Sequence, residues 1–243
     1  LLRKITFVIL YILSTIDDPN SKFKPYYDIL PRILDNFPIF WDKDELQYLK
    51  GSHFLNTIRE RKEGIEKDYI ELCEVIPELK TMFTLDDFMW CRTIVDSRNF
   101  GLNIDNQQCT VMVPLADMLN HYRPAETKWF YDNQKGGYAM EALEFIPKDV
   151  QIMDSYGSKS NYQFLLHYGF CIEDSPETDR LSEVTLEIDN NKFKLTNQYY
   201  DNLLMSYLRR KVANNNEKNQ LTTYSGKINE RNEMAMQALL SFI

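Results

Sequence analysis

Apolar residues recur at helical spacing through roughly the first hundred positions and at alternating spacing after them. The run Ile5–Leu13 is continuously apolar and stops at Asp17-Asp18-Pro19-Asn20, a turn cluster, so residues 1–16 are predicted as a buried helix. Behind Arg3-Lys4 this run looks superficially like a secretion signal, but it is too short to span a bilayer and no small-residue cleavage site follows. Tyr26 to Pro38 is broken by prolines and reads as short packed turns. Asp42 with Glu45 has the spacing of a capping box, and Gly51 closes that helix. From His53 to Leu79, Phe54, Ile58, Ile65, Tyr69, Leu72, Ile76 and Leu79 mark one face of a long amphipathic helix. Its charged stretch Arg59-Glu-Arg-Lys-Glu63 is expected to be solvated. Thr84 with Asp87 opens a further helix, which turns Phe88, Cys91, Ile94 and Val95 inward and ends at Ser97-Arg98-Asn99-Phe100.

After Gly101 the period changes. Cys109–Leu115, Lys128–Tyr131, Tyr138–Phe145 and Gln151–Ser155 read as strands, separated by turn signals such as Pro147-Lys148-Asp149. Ser160 caps a short helix over Asn161–Tyr168, closed by Gly169. A hairpin is predicted from Leu181–Ile188 and Phe193–Leu195 around Asp189-Asn-Asn191. A loop over Glu173–Asp179 precedes it, and helices over Asn197–Val212 and Ile228–Phe242 follow, divided by polar residues 214–219. The fold class is therefore α+β, a helical block followed by a small β block.

Composition narrows the function classes. The 243 residues, 44% hydrophobic and 26% charged, suffice for one large or two modest domains. A net charge of -8 gives no general basic footprint for nucleic acid and favours a basic protein or peptide as partner. Cys73, Cys91, Cys109 and Cys171 contain no C-x-x-C pair, so no metal site is expected, and the chain reads as a reduced intracellular one, cytoplasmic or nuclear. No membrane association is expected, and a monomer is. His53 and His167 lack ligand spacing, and Asp17-Asp18 and Asp86-Asp87 read as caps or turns.

The chemistry concentrates in three blocks: Val113-Pro-Leu-Ala-Asp-Met-Leu-Asn-His121, Asp154-Ser-Tyr-Gly-Ser-Lys-Ser-Asn161 and His167-Tyr-Gly-Phe170. Asn and Asp are weak strand residues that favour turns, yet here they punctuate apolar and aromatic positions. In this order the blocks resemble the catalytic half of SET-domain protein methyltransferases. The nearest likeness is the subgroup of the RuBisCO large-subunit lysine methyltransferase and the actin-histidine methyltransferase, over roughly Asp44 to Phe170 and more weakly beyond. That subgroup has an Asn-His block, a catalytic Tyr in a turn, a Ser-Asn helix start and a closing Gly-Phe.

The resemblance implies a SET β-fold interrupted by a helical insertion. Residues 1–172 would be a SET domain lacking its N-terminal part (insertion to about 100, catalytic core 101–172), and 173–243 an incomplete helical substrate-binding domain. It implies S-adenosyl-L-methionine as cofactor and a protein or peptide as substrate. Tyr156 would be catalytic. Its phenol, with a reference pKa near 10, is a donor at neutral pH and not a strong base. Asn120 and His121 would hold the cofactor, beside Asp117, Met118 and Leu119. Arg98 is a rigid fork suited to the cofactor's carboxylate. Tyr168, Gly169 and Phe170 would complete the cofactor wall. Phe100, Asp117, Tyr156 and Tyr168 would meet the substrate.

Three positions separate lysine from histidine as the target. The histidine enzyme has a polar amide at the position of Phe100, a Trp at that of Ala116, and no aromatic at that of Tyr168. All three favour lysine, leaving histidine methylation and a catalytically inactive SET-like scaffold as alternatives. The family's Gly-rich first cofactor loop is not found, since no Gly precedes Gly51. That loop lies upstream in a longer protein, or this is a degenerate or split form, and the 243-residue chain alone is expected to bind cofactor poorly or not at all and to be inactive. A non-histone substrate is expected by family analogy.

Overall fold

The computed structural model describes residues 4–173, 183–196 and 202–212. The predicted loop over 174–179, the helix over 228–242 and the polar run 214–219 lie outside them. The chain divides into two units. The first runs to Ser158 and resumes over Tyr162–Cys171; the second holds Lys159–Asn161 and the chain from Ile172.

In the first unit, helices α1 (Lys4–Thr15), α2 (Lys24–Ile29), α3 (Lys43–Leu46), α4 (His53–Val75), α5 (Leu79–Met82) and α6 (Leu85–Arg98) precede the strands. Both capping boxes form: Asp42 accepts from Asp44 and Glu45 N–H while Glu45 answers at Asp42 N–H, and Thr84 and Asp87 do the same at α6. The long helix stops at Val75, short of the predicted Leu79, because Pro77 follows and α5 restarts the helix in a new direction. One core joins Ile9 and Ile12 of α1, Tyr27 of α2, Ile58 and Leu72 of α4, and Phe88, Cys91 and Ile94 of α6.

The charged run on α4 is not solvated throughout. Arg61 is mostly buried, its Nη2 donating to Asp96 of α6 at 3.1 Å. Arg92 bridges the same Asp96 and Asp68 of α4. The buried face of α4 is wider than its apolar stripe because these ion pairs hold it to α6.

The β block consists of short two-stranded pairs. Strand β1 (Asn99–Ile104), which the spacing did not predict, pairs antiparallel with β2 (Gln107–Met112) across Asp105-Asn106. Both turn residues have positive φ (49° and 63°), as a tight two-residue hairpin requires. Strand β4 (Thr127–Asp132) pairs with β5 (Gly137–Ala142), which ends before the predicted Phe145. The Phe100 ring stands edge-on to Trp129 and Tyr138, joining the two hairpins. The two-residue strands β3 (Asn120–His121) and β6 (Met153–Asp154) run parallel, Asn120 opposite Met153 and His121 opposite Asp154. Helix α7 (Asn161–Tyr168) follows, and Gly169 closes it at φ +76°.

In the second unit, β7 (Glu183–Ile188) and β8 (Asn191–Thr196) form the predicted hairpin around Asp189-Asn190, and α8 spans Asn202–Val212. Ile188, Phe193, Leu204, Met205 and Leu208 form its small core.

Candidate active site

The parallel pairing of β3 with β6 creates the site. It sets Asn120-His121 beside Met153–Ser155, so the first and second blocks become adjacent although more than thirty residues separate them. Leu115, at φ +77°, turns the chain out of β2 into a 3-10 turn, Ala116–Met118, that presents Asp117. The third block then folds back: Tyr168 stacks on Tyr156 at 4.8 Å, and Phe170 packs edge-on to it at 6.2 Å.

Two cavities open on this junction. The larger, about 410 Å³, is bordered by Arg98, Met118, Asn120, His121 and Phe170, with Asn36 and Phe37 from the N-terminal helical region. The smaller, about 180 Å³, is bordered by Phe100, Ala116, Leu119, Trp129, Asp154 and Ser155. Ser97, Arg98, Asp117, Tyr156 and Tyr168 border both. These five form the partition between the two spaces.

Each side chain of the partition is held. The Tyr156 hydroxyl donates to the Leu119 carbonyl at 2.6 Å, and its backbone N–H donates to His121 Nδ1 at 3.0 Å. His121 is thus gripped through its ring, which stacks on Tyr156 and packs on Phe164. Burial, outweighing the nearby Arg98 charge, pushes the Tyr156 phenol up to about 12. Tyr168 is pushed up as well, by burial and by the charge of Asp154. Asp117 has a fully enclosed side chain, and Arg98 Nη1 donates to its Oδ2 at 3.1 Å and to its carbonyl at 3.0 Å. Arg98 is therefore an anchored fork and not a free surface cation.

Gly169 borders neither cavity but shapes both aromatic neighbours. A Cβ there would overlap Asn36 Nδ2, and Asn36 donates to the Gly169 carbonyl at 3.1 Å. Three contributors are not among the residues that the sequence pattern points to. Tyr26 donates to Asp117 Oδ2 at 2.8 Å, Asn36 borders the larger cavity, and Asp154 borders the smaller. Asp154 is buried, accepting from Thr127 Oγ1 at 3.2 Å and Ser155 N–H at 2.7 Å, and burial raises its pKa. Only Asp154 carries a local signal, as the first residue of the second block. Tyr26 and Asn36 lie far upstream in a proline-broken stretch.

Among the described residues no cluster of His, Cys, Asp and Glu could hold a metal ion, and no helix is long and apolar enough to cross a membrane.

No family model matches the chain. Curated relatives do. The ribulose-1,5-bisphosphate carboxylase/oxygenase large subunit N-methyltransferase of Pisum sativum is 33% identical over 199 residues, 76% of this chain and 40% of that protein. Ribosomal lysine N-methyltransferase 1 of Saccharomyces cerevisiae is 29% identical over 210 residues, covering 70% of this chain and 36% of that protein. The crystal structure of the SET domain of LSMT bound to methyllysine and AdoHcy superposes with a TM-score of 0.64 and 25% identity, over 89% of this chain and 56% of that one. The chain belongs to the SET-domain protein methyltransferases. Within them it falls in the subgroup of the Rubisco lysine and actin-histidine methyltransferases. This SET chain spans 36% and 40% of the lengths of the two relatives described.

Proposed function

We propose that this protein transfers a methyl group from S-adenosylmethionine to a lysine side chain of a non-histone protein. The observation that carries the reading is the partition: Tyr156, Tyr168, Arg98 and Asp117 face a larger cleft on one side and a narrow pocket on the other. A two-sided wall suits a reaction in which donor and acceptor approach from opposite faces.

The residues of the larger cleft fit S-adenosylmethionine. Its volume of about 410 Å³ lies within the usual range for small-molecule sites. Arg98 offers a charged fork for a carboxylate, the amides of Asn120 and Asn36 offer donor and acceptor together, and the rings of His121 and Phe170 supply flat aromatic walls. When bound, the cofactor supplies an already activated methyl group on a sulfonium.

What remains for the protein is alignment and exclusion of water, which can lower a barrier by about 7–11 kcal/mol in favourable cases. In the smaller pocket, Phe100, Trp129 and Tyr168 make an apolar sleeve for an alkyl chain. Removal from water disfavours the ammonium form of an entering amine and leaves its lone pair free. Tyr156 keeps its proton at neutral pH because burial lifts its phenol to about 12. Its one O–H donates to the Leu119 carbonyl, which fixes the phenol oxygen in place to accept from an amine N–H, and it takes no proton from the substrate.

Lysine is favoured over histidine because Phe100, Ala116 and Tyr168, the three positions that separate the two targets, all border this one pocket. The test uses full-length protein, tritiated S-adenosylmethionine and a cell extract, comparing wild type with Tyr156→Phe. A labelled lysine in one protein band, lost in the variant, is the expected result. Label on histidine overturns the target, and no label from a folded wild type favours an inactive scaffold.

A further inference from the structure

We propose that Tyr26, in the N-terminal helical region, is a positioning residue for the Arg98 guanidinium and through it for the carboxylate end of the cofactor. This rests on the methyl-transfer reading of the site.

Asp117 is a carboxylate with little else to hold it. Its side chain is fully enclosed, and its Oδ1 makes no hydrogen bond among the described residues. Its Oδ2 accepts from Tyr26 Oη at 2.8 Å and from Arg98 Nη1 at 3.1 Å. Nη1 is shared further with the Asp117 carbonyl at 3.0 Å and approaches Met118 Sδ at 3.6 Å. One guanidinium nitrogen is thereby wholly committed to the wall. Because the fork is planar and rigid, fixing that nitrogen fixes the direction of the other two.

Two donors on one oxygen lock the rotation of the carboxylate. With the Tyr26 hydroxyl removed, Oδ2 and Oδ1 become nearly equivalent, so the carboxylate can turn and Arg98 turns with it. Tyr26 is suited to this role because it is buried, and both burial and the Asp117 charge hold its phenol well above its ordinary pKa. It therefore stays a donor across the neutral range. Its ring packs against Tyr27 at 6.1 Å, a contact that phenylalanine preserves.

The test is calorimetric binding of two ligands to the full-length protein: S-adenosylhomocysteine, which carries the amino-acid carboxylate, and 5′-methylthioadenosine, which lacks it. Tyr26→Phe is expected to weaken S-adenosylhomocysteine about tenfold, the scale of one hydrogen bond to a charged group, and to leave methylthioadenosine unchanged. In an Arg98→Ala background the same substitution is expected to change neither ligand further. Equal weakening of both ligands marks a merely structural tyrosine and overturns the inference, as does a loss that persists without Arg98. Should Tyr26→Phe not fold, Asp117→Asn poses the same question, with the same selective loss expected and equal losses overturning it. A folded wild type that binds neither ligand overturns the methyltransferase reading itself, and the inference with it.

Discussion

Replacing Gly169 with alanine tests whether one close approach sets the aromatic wall of the site. Gly169 sits at φ +76°, between Tyr168 and Phe170. A residue with a Cβ in this left-handed conformation costs about 1–2 kcal/mol. The added methyl would also overlap Asn36 Nδ2 and come within 2.9 Å of Asn36 Cγ and 3.0 Å of the Phe37 ring. Asn36 must then move, and its hydrogen bond to the Gly169 carbonyl is lost, a further loss of about 1 kcal/mol. The sum, roughly 2–3 kcal/mol, corresponds to a fall in melting temperature of about 5–10 °C for a chain of this size. The assay is thermal and urea denaturation of Gly169→Ala in the native background and in an Asn36→Ala background. With Asn36 truncated, only the backbone strain and the Phe37 contact remain, so the alanine is expected to cost about 1 kcal/mol less there. An identical cost in both backgrounds would refute the claim that Asn36 and Gly169 hold this turn together.

Tyr156→Phe is expected to lower kcat by about 100-fold with little change in cofactor affinity, as for a group that orients the reacting partners; a mainly KM effect in steady-state assays would argue against that role. Stability should fall at high pH. Tyr156 and Tyr168 are raised by burial, so the stability they give is full below pH 10 and is lost as pH climbs through the folded value, about 12 for Tyr156. Tyrosinate absorbance rising together with unfolding would support this, and full ionisation near pH 10 in the folded protein would contradict it. Asp96→Ala strands Arg61 and leaves Arg92 only Asp68; both arginines are only partly exposed, and the loss should be about 2–3 kcal/mol in denaturant titrations, less than for a fully buried pair. A loss no larger than that of an exposed pair such as Lys67–Glu71 would show that α4 and α6 need no ionic seam.

The helical half is legible in the sequence because its signals are local. Capping boxes at Asp42 and Thr84 involve residues three apart, and the apolar positions of α4 repeat with the helix period, so neither needs a distant partner. The hairpin turn at Asp189-Asn190 is legible for the same reason. Strand β1 is not, since Asn99, Gly101 and Asn103 are poor strand residues and only pairing with β2 makes them extended. Arg61 departs from the solvated face expected of its charge run because Asp96 of another helix meets it.

The sequence by itself determined the helical block ahead of the β block, the turn chemistry and the membership of Asn120-His121, Tyr156 and Tyr168 in one family pattern. The tertiary structure alone decided the partners: the parallel β3–β6 pair, the reach of Tyr26 to Asp117, and the close approach of Asn36 that disfavours a side chain at Gly169. The physical reason is that capping and periodicity are written into neighbouring residues. A hydrogen bond between positions 26 and 117 leaves no local trace, because either side chain would read the same without the other.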